Sequence, residues 1–151
     1  MVGWLIVYVH KVEAEQGAIR MFSRIGMRRP MYCTGVGKAM MACMTDEQVN
    51  RIWESSDIQP YTSHTITTRE RLQAVLDAIR QRGCAFDNEE NELGVRCIAA
   101  AIRDYTGNVC GALSISAPLI RMSDSYLLQL KRPLLETRDR IAHEMGWISE
   151  Q

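Results

Sequence analysis

The chain has 151 residues, of which 46% are hydrophobic and 24% are charged. This length matches one domain and is enough to bury a core without disulfide or metal staples. Eighteen Lys and Arg residues balance eighteen Asp and Glu residues, so the formal net charge is zero. The apolar content excludes general disorder, and the basic excess typical of a chain that coats nucleic acid is absent.

Cysteine and histidine spacing argues against metal and dithiol sites. The five cysteines form no Cys-x-x-Cys pair, and the three histidines stand far apart in the sequence. No phosphate-binding loop of the GxxxxGK[ST] type occurs either. We therefore expect no metal, no cofactor and no catalysis. An odd cysteine count in a domain of this size indicates a reducing, cytoplasmic setting.

The N-terminus is predicted to form a hairpin. Residues 4–11 and 18–23 are strand-like, the polar link 13–17 suits a turn, and 26–30 is a basic loop. The apolar start is too short to span a bilayer and lacks the flanks of a secretory signal, so we expect no membrane contact. Because natural domains usually begin with a few polar residues, we interpret the chain as part of a longer protein.

Three helices are predicted next. The first is the apolar segment 39–44, which follows the stretch 31–38. Capping-box patterns at 45–48 and 67–70 begin the second and third helices, and Gly83 is placed to end the third.

The C-terminal half is predicted to hold three strands and a helix. The strands are 84–87, 95–102 and 109–117, with a hairpin turn at 104–108. The last helix is capped near Ser123, and Pro133 is expected to kink or break it near Leu130. The order of elements predicts one α+β domain with an antiparallel sheet flanked by helices.

Alternation along the last strand leaves two possible inward sets. One is Val109, Gly111, Leu113 and Ile115, and the other is Cys110, Ala112, Ser114 and Ser116. Ser114 and Ser116 point to the same face in either case. They lie either on a wet edge or in a polar pocket.

Three further positions are candidates for chemistry. Gly35 and Gly37 flank Val36 at a helix start, where free N–H groups suit a carboxylate or phosphate; a tight turn with helix packing is the alternative. Asp87 is either a site residue or a strand-ending cap. Cys97 is either reactive or a small core hydrophobe. Three nearby glutamates are expected to form a solvated face, namely Glu89, Glu90 and Glu92.

Taken together, these stretches resemble the IclR family of bacterial transcription regulators. Residues 31–39 resemble its P-L-[HY]-x-[ST]-A-x-G-K-A-x-L motif, and residues 87–99 resemble D-x-E-E-x-x-x-G-x-x-C-I-A. Residues 114–118 resemble S-[IV]-S-G-P, and the order and spacing of all three also match. The resemblance runs over residues 4–147.

This resemblance implies a two-part protein, with an N-terminal winged helix-turn-helix that binds DNA and a C-terminal effector-binding domain of GAF-like fold. Residues 1–151 would be the second part alone, so DNA would be bound only through the missing domain. The family also implies dimers or tetramers. The effector pocket it implies consists of the backbone of Gly35, Val36 and Gly37 with the side chains of Asp87, Cys97, Ser114 and Ser116.

A small keto- or hydroxy-acid fits these groups: its carboxylate would meet the helix start and the serines, and its hydroxyl or carbonyl groups would meet Asp87 and the thiol. Residues 58–60, 65–67 and 90–95 look closest to family members that govern sugar-acid breakdown. Gly35 stands where Ala is common in the family, and Ala117 stands where Gly is common. Both differences are expected to alter the width of the pocket.

Two other functions compete with a sensor of small acids. A cysteine enzyme would use Cys97 as nucleophile, but it needs a base and an oxyanion hole, and no histidine lies within the motifs. A dimerisation module with an empty pocket is the other alternative.

Overall fold

The computed structural model describes residues 4–13 and 23–148. Within these ranges the strands and helices follow the predicted order and form an α+β fold with antiparallel sheets, which confirms the predicted class. The bounds are β1 Leu5–Val7, β2 Arg28–Pro30, α1 Gly35–Ala42, α2 Asp46–Glu54, α3 Arg69–Arg82, β3 Ala85–Asn88, β4 Val95–Arg103, β5 Val109–Pro118 and α4 Asp124–Glu144, with a 3₁₀ turn at Leu119–Arg121.

Hydroxyl side chains fix where the helices begin. Thr45 caps α2, and its capping box is complete because the Gln48 side chain accepts the Thr45 N–H at 2.9 Å. The cap of α3 is Thr68, whose side chain accepts the Arg71 N–H, so the box predicted at 67–70 is displaced by one residue. Gly83 ends α3 as predicted, in the left-handed conformation at a φ of 84°.

The N-terminal strand has a different partner from the predicted one. β1 runs antiparallel to β2, and the Tyr8 N–H extends the pairing by donating to the Met27 carbonyl at 3.1 Å. The prediction of a basic loop at 26–30 is therefore wrong for residues 28–30, whereas residues 26 and 27 lie outside the strand. Pro30, which lacks an N–H, is tolerated at the end of a short strand. Residues 14–22, which hold most of the predicted second strand, lie outside the described residues.

β4 is the central strand of the larger sheet, with β3 and β5 on either side. One face packs against α1 and α3, and the other face packs against α4. Both predicted inward sets of β5 face a core. Ala112 packs on the side of α1 and α3, whereas Leu113 and Ala117 pack on the side of α4. Alternation could not choose between them, since this sheet has helices on both faces.

α4 continues through Pro133 without a break. The predicted interruption near Leu130 is therefore absent. Pro133 is exposed, so the carbonyl oxygen that loses its backbone donor is on the solvent side and can bond to water. The next residue, Leu134, is buried against the sheet and holds this part of the helix in place.

The glycines of α1 allow the helix to approach its neighbours closely. A Cβ added to Gly35 would lie 2.5 Å from Cys97 Sγ and 3.3 Å from Ala99 Cβ. A Cβ added to Gly37 would overlap the Met31 backbone. Both glycines therefore serve helix packing, and Gly35 brings the start of α1 onto β4.

We predict that Gly35→Ala lowers the free energy of unfolding by about 1–3 kcal/mol, because overpacking forces α1 or the Cys97 thiol to move. Gly111→Ala is the matched control, since a Cβ there meets no atom within 4 Å. Urea denaturation measures both. In a Cys97→Ala background the cost of Gly35→Ala should shrink, and equal costs in the two backgrounds would contradict this account of the contact.

Candidate functional site

Three predicted site residues lie side by side across the larger sheet. Asp87 on β3 is opposite Cys97 on β4, and Cys97 is opposite Ser116 on β5, so their side chains share one face. Ser114 lies on the same face two residues along β5, opposite Ala99. The Ser116 side chain is close enough to the Cys97 thiol to lower its pKa slightly against the larger effect of burial. The register therefore brings four polar groups, contributed by three strands, onto the side that α1 covers.

The start of α1 lies directly over this row. The nearest neighbours of a Cβ at Gly35 would be Cys97, Ala99 and Asp87, the last with its Cβ at 3.6 Å. The Gly37 N–H is already donated to Thr34 Oγ1 at 3.2 Å. Among the described residues the Gly35 and Val36 N–H groups have no hydrogen-bond partner. Two of the three predicted backbone positions thus present free donors at the positive end of a helix.

The site has a closed side and an open side. Asp87 and Cys97 are 7% and 6% exposed, and Val36 is also buried. Ser114 and Ser116 are exposed on β5. The serines therefore form the side of the site that solvent reaches, although they face the helix start and not the opposite face of the sheet.

A buried ion pair ties α1 to the loop after β3. Lys38 is 1% exposed, its Nζ lies 2.7 Å from both carboxylate oxygens of Glu90, and it donates to the Phe86 carbonyl at 2.6 Å. Asp87 Oδ1 accepts the Glu90 N–H at 2.9 Å. Together these bonds fix Asp87 beside the helix start.

The predicted solvated face is therefore wrong for Glu90, which is 7% exposed. Glu89 is partly buried, and its carboxylate accepts the Gly94 N–H at 2.9 Å. Glu92 is exposed, as predicted. Glu89 has a positive φ of 58°, which turns the chain back so that the next side chain enters the core.

Three further side chains reach the site without having been predicted from the sequence. Arg29 lies opposite the buried Ile6 in the β1–β2 pair, and Tyr8 follows two residues after Ile6 on the same side. Cys33, in the turn before α1, is buried, with its sulfur 3.8 Å from Asn91 Oδ1. The inward direction of Arg29 and Tyr8 depends on the β1–β2 pairing, which sequence periodicity did not reveal.

Burial controls the ionisation of these groups. It is the main cause that raises the pKa of Asp87 to about 6, with a further increase from Glu90 and a partial offset from Lys38. Burial and the charge of Asp87 raise the pKa of Cys97 to about 12. Tyr8 and Cys33 also have pKa values raised to about 12, again mainly by burial. At neutral pH the Cys97 thiol is protonated, which is unfavourable for a nucleophile.

Among residues 4–13 and 23–148, no group of His, Cys, Asp and Glu side chains has an arrangement that could hold a metal ion. No helix in the same ranges is long and apolar enough to cross a membrane.

The fold and the half-open polar site define a class of ligand-binding domain found in bacterial regulators. Residues 1–143 match the family model described as bacterial transcriptional regulator IclR C-terminal. The chain therefore belongs to the IclR family, as predicted from its motifs, and it corresponds to the effector-binding domain of such regulators.

Two curated relatives are regulators from Escherichia coli K12. The chain is 40% identical over 142 residues to the HTH-type transcriptional regulator KdgR. This alignment covers 94% of this chain and 54% of KdgR. It is 39% identical over 143 residues to the DNA-binding transcriptional repressor YiaJ, with coverage of 93% and 51%. The chain thus spans about half the length of these relatives.

Solved structures agree with this assignment. The C-terminal domain of E. coli KdgR superposes with a TM-score of 0.84 at 37% identity, covering 95% of this chain and 82% of that one. The IclR protein of Thermotoga maritima gives a TM-score of 0.90 at 33% identity, with coverage of 97% and 59%.

The buried ion pair yields a stability prediction. Lys38→Met should lower the free energy of unfolding by about 3–5 kcal/mol, because it leaves the Glu90 carboxylate buried without a counter-charge. Arg51→Met, which breaks an exposed pair with Glu47, should cost less than about 1 kcal/mol. Urea denaturation compares the two variants. Replacing both charges in Lys38→Met/Glu90→Leu should recover most of the loss, and a double variant no more stable than Lys38→Met would argue against the pair.

Asp87 yields a pH prediction. Because its pKa is raised on folding from 3.8 to about 6, the native state binds the proton more tightly, so this group's contribution is fully present below about pH 4 and is lost as pH rises through 6. The loss is on the order of 3 kcal/mol. We therefore expect Asp87→Asn to gain stability relative to the parent as pH rises from 4 to 7.

Urea denaturation across this pH range measures the difference, and the exposed Glu92→Gln serves as the control that should follow the parent. A difference between parent and Asp87→Asn that does not change with pH would show that folding does not raise the pKa of Asp87.

Proposed function

We propose that this chain is the sensor domain of a DNA-binding transcriptional regulator and that its effector is a small keto-, hydroxy- or sugar acid. The observation that supports this most directly is the row Asp87–Cys97–Ser116 beneath the free N–H groups of Gly35 and Val36. Donors and acceptors converge there from three strands and the start of α1, with one side open to solvent. Few but convergent polar groups on an otherwise apolar scaffold are typical of a small-molecule site.

Each polar group has a role in this proposal. The Gly35 and Val36 N–H groups and the hydroxyls of Ser114 and Ser116 donate to ligand oxygens. Asp87 titrates near pH 6, so it either accepts from a ligand hydroxyl or, when protonated, donates to a ligand carbonyl. Cys97 remains a neutral thiol and forms part of the wall. Gly37 supports the site through packing and its bond to Thr34.

In the whole protein, DNA would be bound by an N-terminal winged helix-turn-helix domain. The zero net charge of the chain fits a domain that does not contact DNA itself. We further propose that the regulator assembles as a homodimer or tetramer and acts in the cytoplasm. Ligand binding would then change the balance between two states of that assembly.

A cysteine enzyme is less well supported by the same geometry. Its nucleophile would need a lowered pKa or an adjacent base, whereas the pKa of Cys97 is raised to about 12 and its neighbour on β5 is a serine. A pure dimerisation module would not explain two free helix-start donors beside a buried carboxyl group.

The serines provide the test of this proposal. A thermal-shift screen of small organic acids first identifies a ligand, because binding to the native state alone raises its stability. Ser114→Ala or Ser116→Ala should then weaken binding of that acid about 10- to 100-fold, the value of one hydrogen bond to a charged group. Calorimetric titration measures the loss.

Both serines are exposed, so these variants should keep the parent's stability. Glu92→Ala, also exposed, is the control and should bind as the parent does. If the serine variants bind with parental affinity, the effector is bound elsewhere on the domain.

A further inference from the structure

Arg29 brings a positive charge to the site from the strand β2. It lies on β2 opposite Ile6, which is 7% exposed, so its side chain starts toward the core. Its Nε is buried and has no hydrogen-bond partner among the described residues. A buried donor without an acceptor lowers stability, so such a group is uncommon in a core that has no further use for it.

The neighbours of Arg29 place it at the same site as Asp87. The charge of Arg29 lowers the pKa values of Tyr8 and Cys33, while the charge of Asp87 raises both of them. Cys97 also raises the pKa of Tyr8. The packing agrees with this placement, because Ile6, the strand partner of Arg29, lies in the same core cluster as Val36 and Ala99.

The carboxylates near the site are bonded to groups other than Arg29. Lys38, the other cation there, is paired with Glu90 at 2.7 Å. Asp87 Oδ1 accepts the Glu90 N–H at 2.9 Å. Arg29 is therefore the cation of this cluster whose charge is not matched by a bonded carboxylate in the described part of the chain.

We propose that Arg29 is the counter-charge for the ligand's carboxylate, so that the site selects a monocarboxylic acid over the neutral sugar or alcohol of the same carbon chain. This inference rests on the proposed function. A carboxylate has about four lone-pair positions, enough for the guanidinium fork together with helix-start N–H or serine donors. A dianionic phosphate fits less well, because Arg29 is one charge and the carboxyl groups of Asp87 and Glu90 lie nearby.

The test is calorimetric titration with acids and their uncharged counterparts. The probes are sodium D-gluconate, sodium pyruvate and other two- to six-carbon keto-, hydroxy- and sugar acids, each with its amide or alcohol, and glucose 6-phosphate. The parent should bind at least one acid in preference to its neutral counterpart and to the phosphate. Arg29→Gln should lose about 10- to 100-fold in affinity for that acid, and Arg29→Lys should lose less.

Arg28→Gln is the matched control, because Arg28 is exposed on the same strand and should not affect binding. Without ligand, Arg29→Gln should be at least as stable as the parent, since it removes an unsatisfied buried donor. This readout separates a binding role from a structural one, which would lower the stability of the variant.

The outcomes distinguish this inference from the proposed function. If Arg29→Gln binds the acid as tightly as the parent, or is markedly less stable without ligand, the role of Arg29 is refuted and the sensor function stands. If the parent prefers the amide, the alcohol or the phosphate, selection for a carboxylate is refuted. If the parent binds none of the probes, the proposed function fails and this inference fails with it.

Discussion

The buried contact between Lys38 and Glu90 is the interaction on which the site depends. It joins the first helix to the loop after β3, and through the Phe86 carbonyl it also holds the strand itself. Removing two charges from water costs several kcal/mol each, so such a pair persists only where its hydrogen bonds are satisfied. Here the lysine has both carboxylate oxygens and a carbonyl as acceptors. The pair therefore defines one position of α1 on the sheet.

That position determines the chemistry of the site. With α1 held against the sheet, Gly35 meets Cys97, and the N–H groups of Gly35 and Val36 have no hydrogen-bond partner among the described residues. The same packing removes water from Asp87, and this burial is the main reason why its pKa lies near 6. Donors, a titrating carboxyl group and a neutral thiol are thus consequences of one helix position. None of them is an independent property of its own residue.

Local signals were sufficient to predict much of the fold. Capping hydroxyls, Gly83 and the spacing of apolar residues act over a few positions, so α2, α3 and the strands from β3 to β5 follow from them. The pairing of β1 with residues 28–30 was missed because the two strands are more than twenty residues apart in the sequence. In addition, two adjacent arginines are more typical of a loop than of a strand. The predicted break at Pro133 was wrong because a local signal was given too much weight. Pro133 is exposed, so water can replace the missing backbone donor and the helix continues.

The candidate site was only partly predictable, because some of its residues are placed by contacts between distant segments and not by local sequence signals. Asp87, Cys97, Ser114 and Ser116 lie in motifs whose order and spacing carry the family resemblance. Glu90 was misassigned because an acidic run looks solvated, and only the left-handed turn at Glu89 brings the next side chain inward. Arg29 became recognisable once its strand partner was known. Charged residues in short edge strands give no periodic signal of the direction in which they point.

A site with an unsatisfied guanidinium donor and two free N–H groups is not at its own stability optimum. The buried Arg29 Nε, which has no partner among the described residues, lowers the stability of the empty domain, and the raised pKa of Asp87 adds a further cost at neutral pH. A ligand that supplies acceptors to these groups recovers that free energy only in the conformation that presents them together. In the proposed function, ligand binding would therefore favour the conformation in which β1–β2, α1 and the central sheet are held at these positions. This differential affinity is what a sensor domain needs in order to change the state of the protein that contains it.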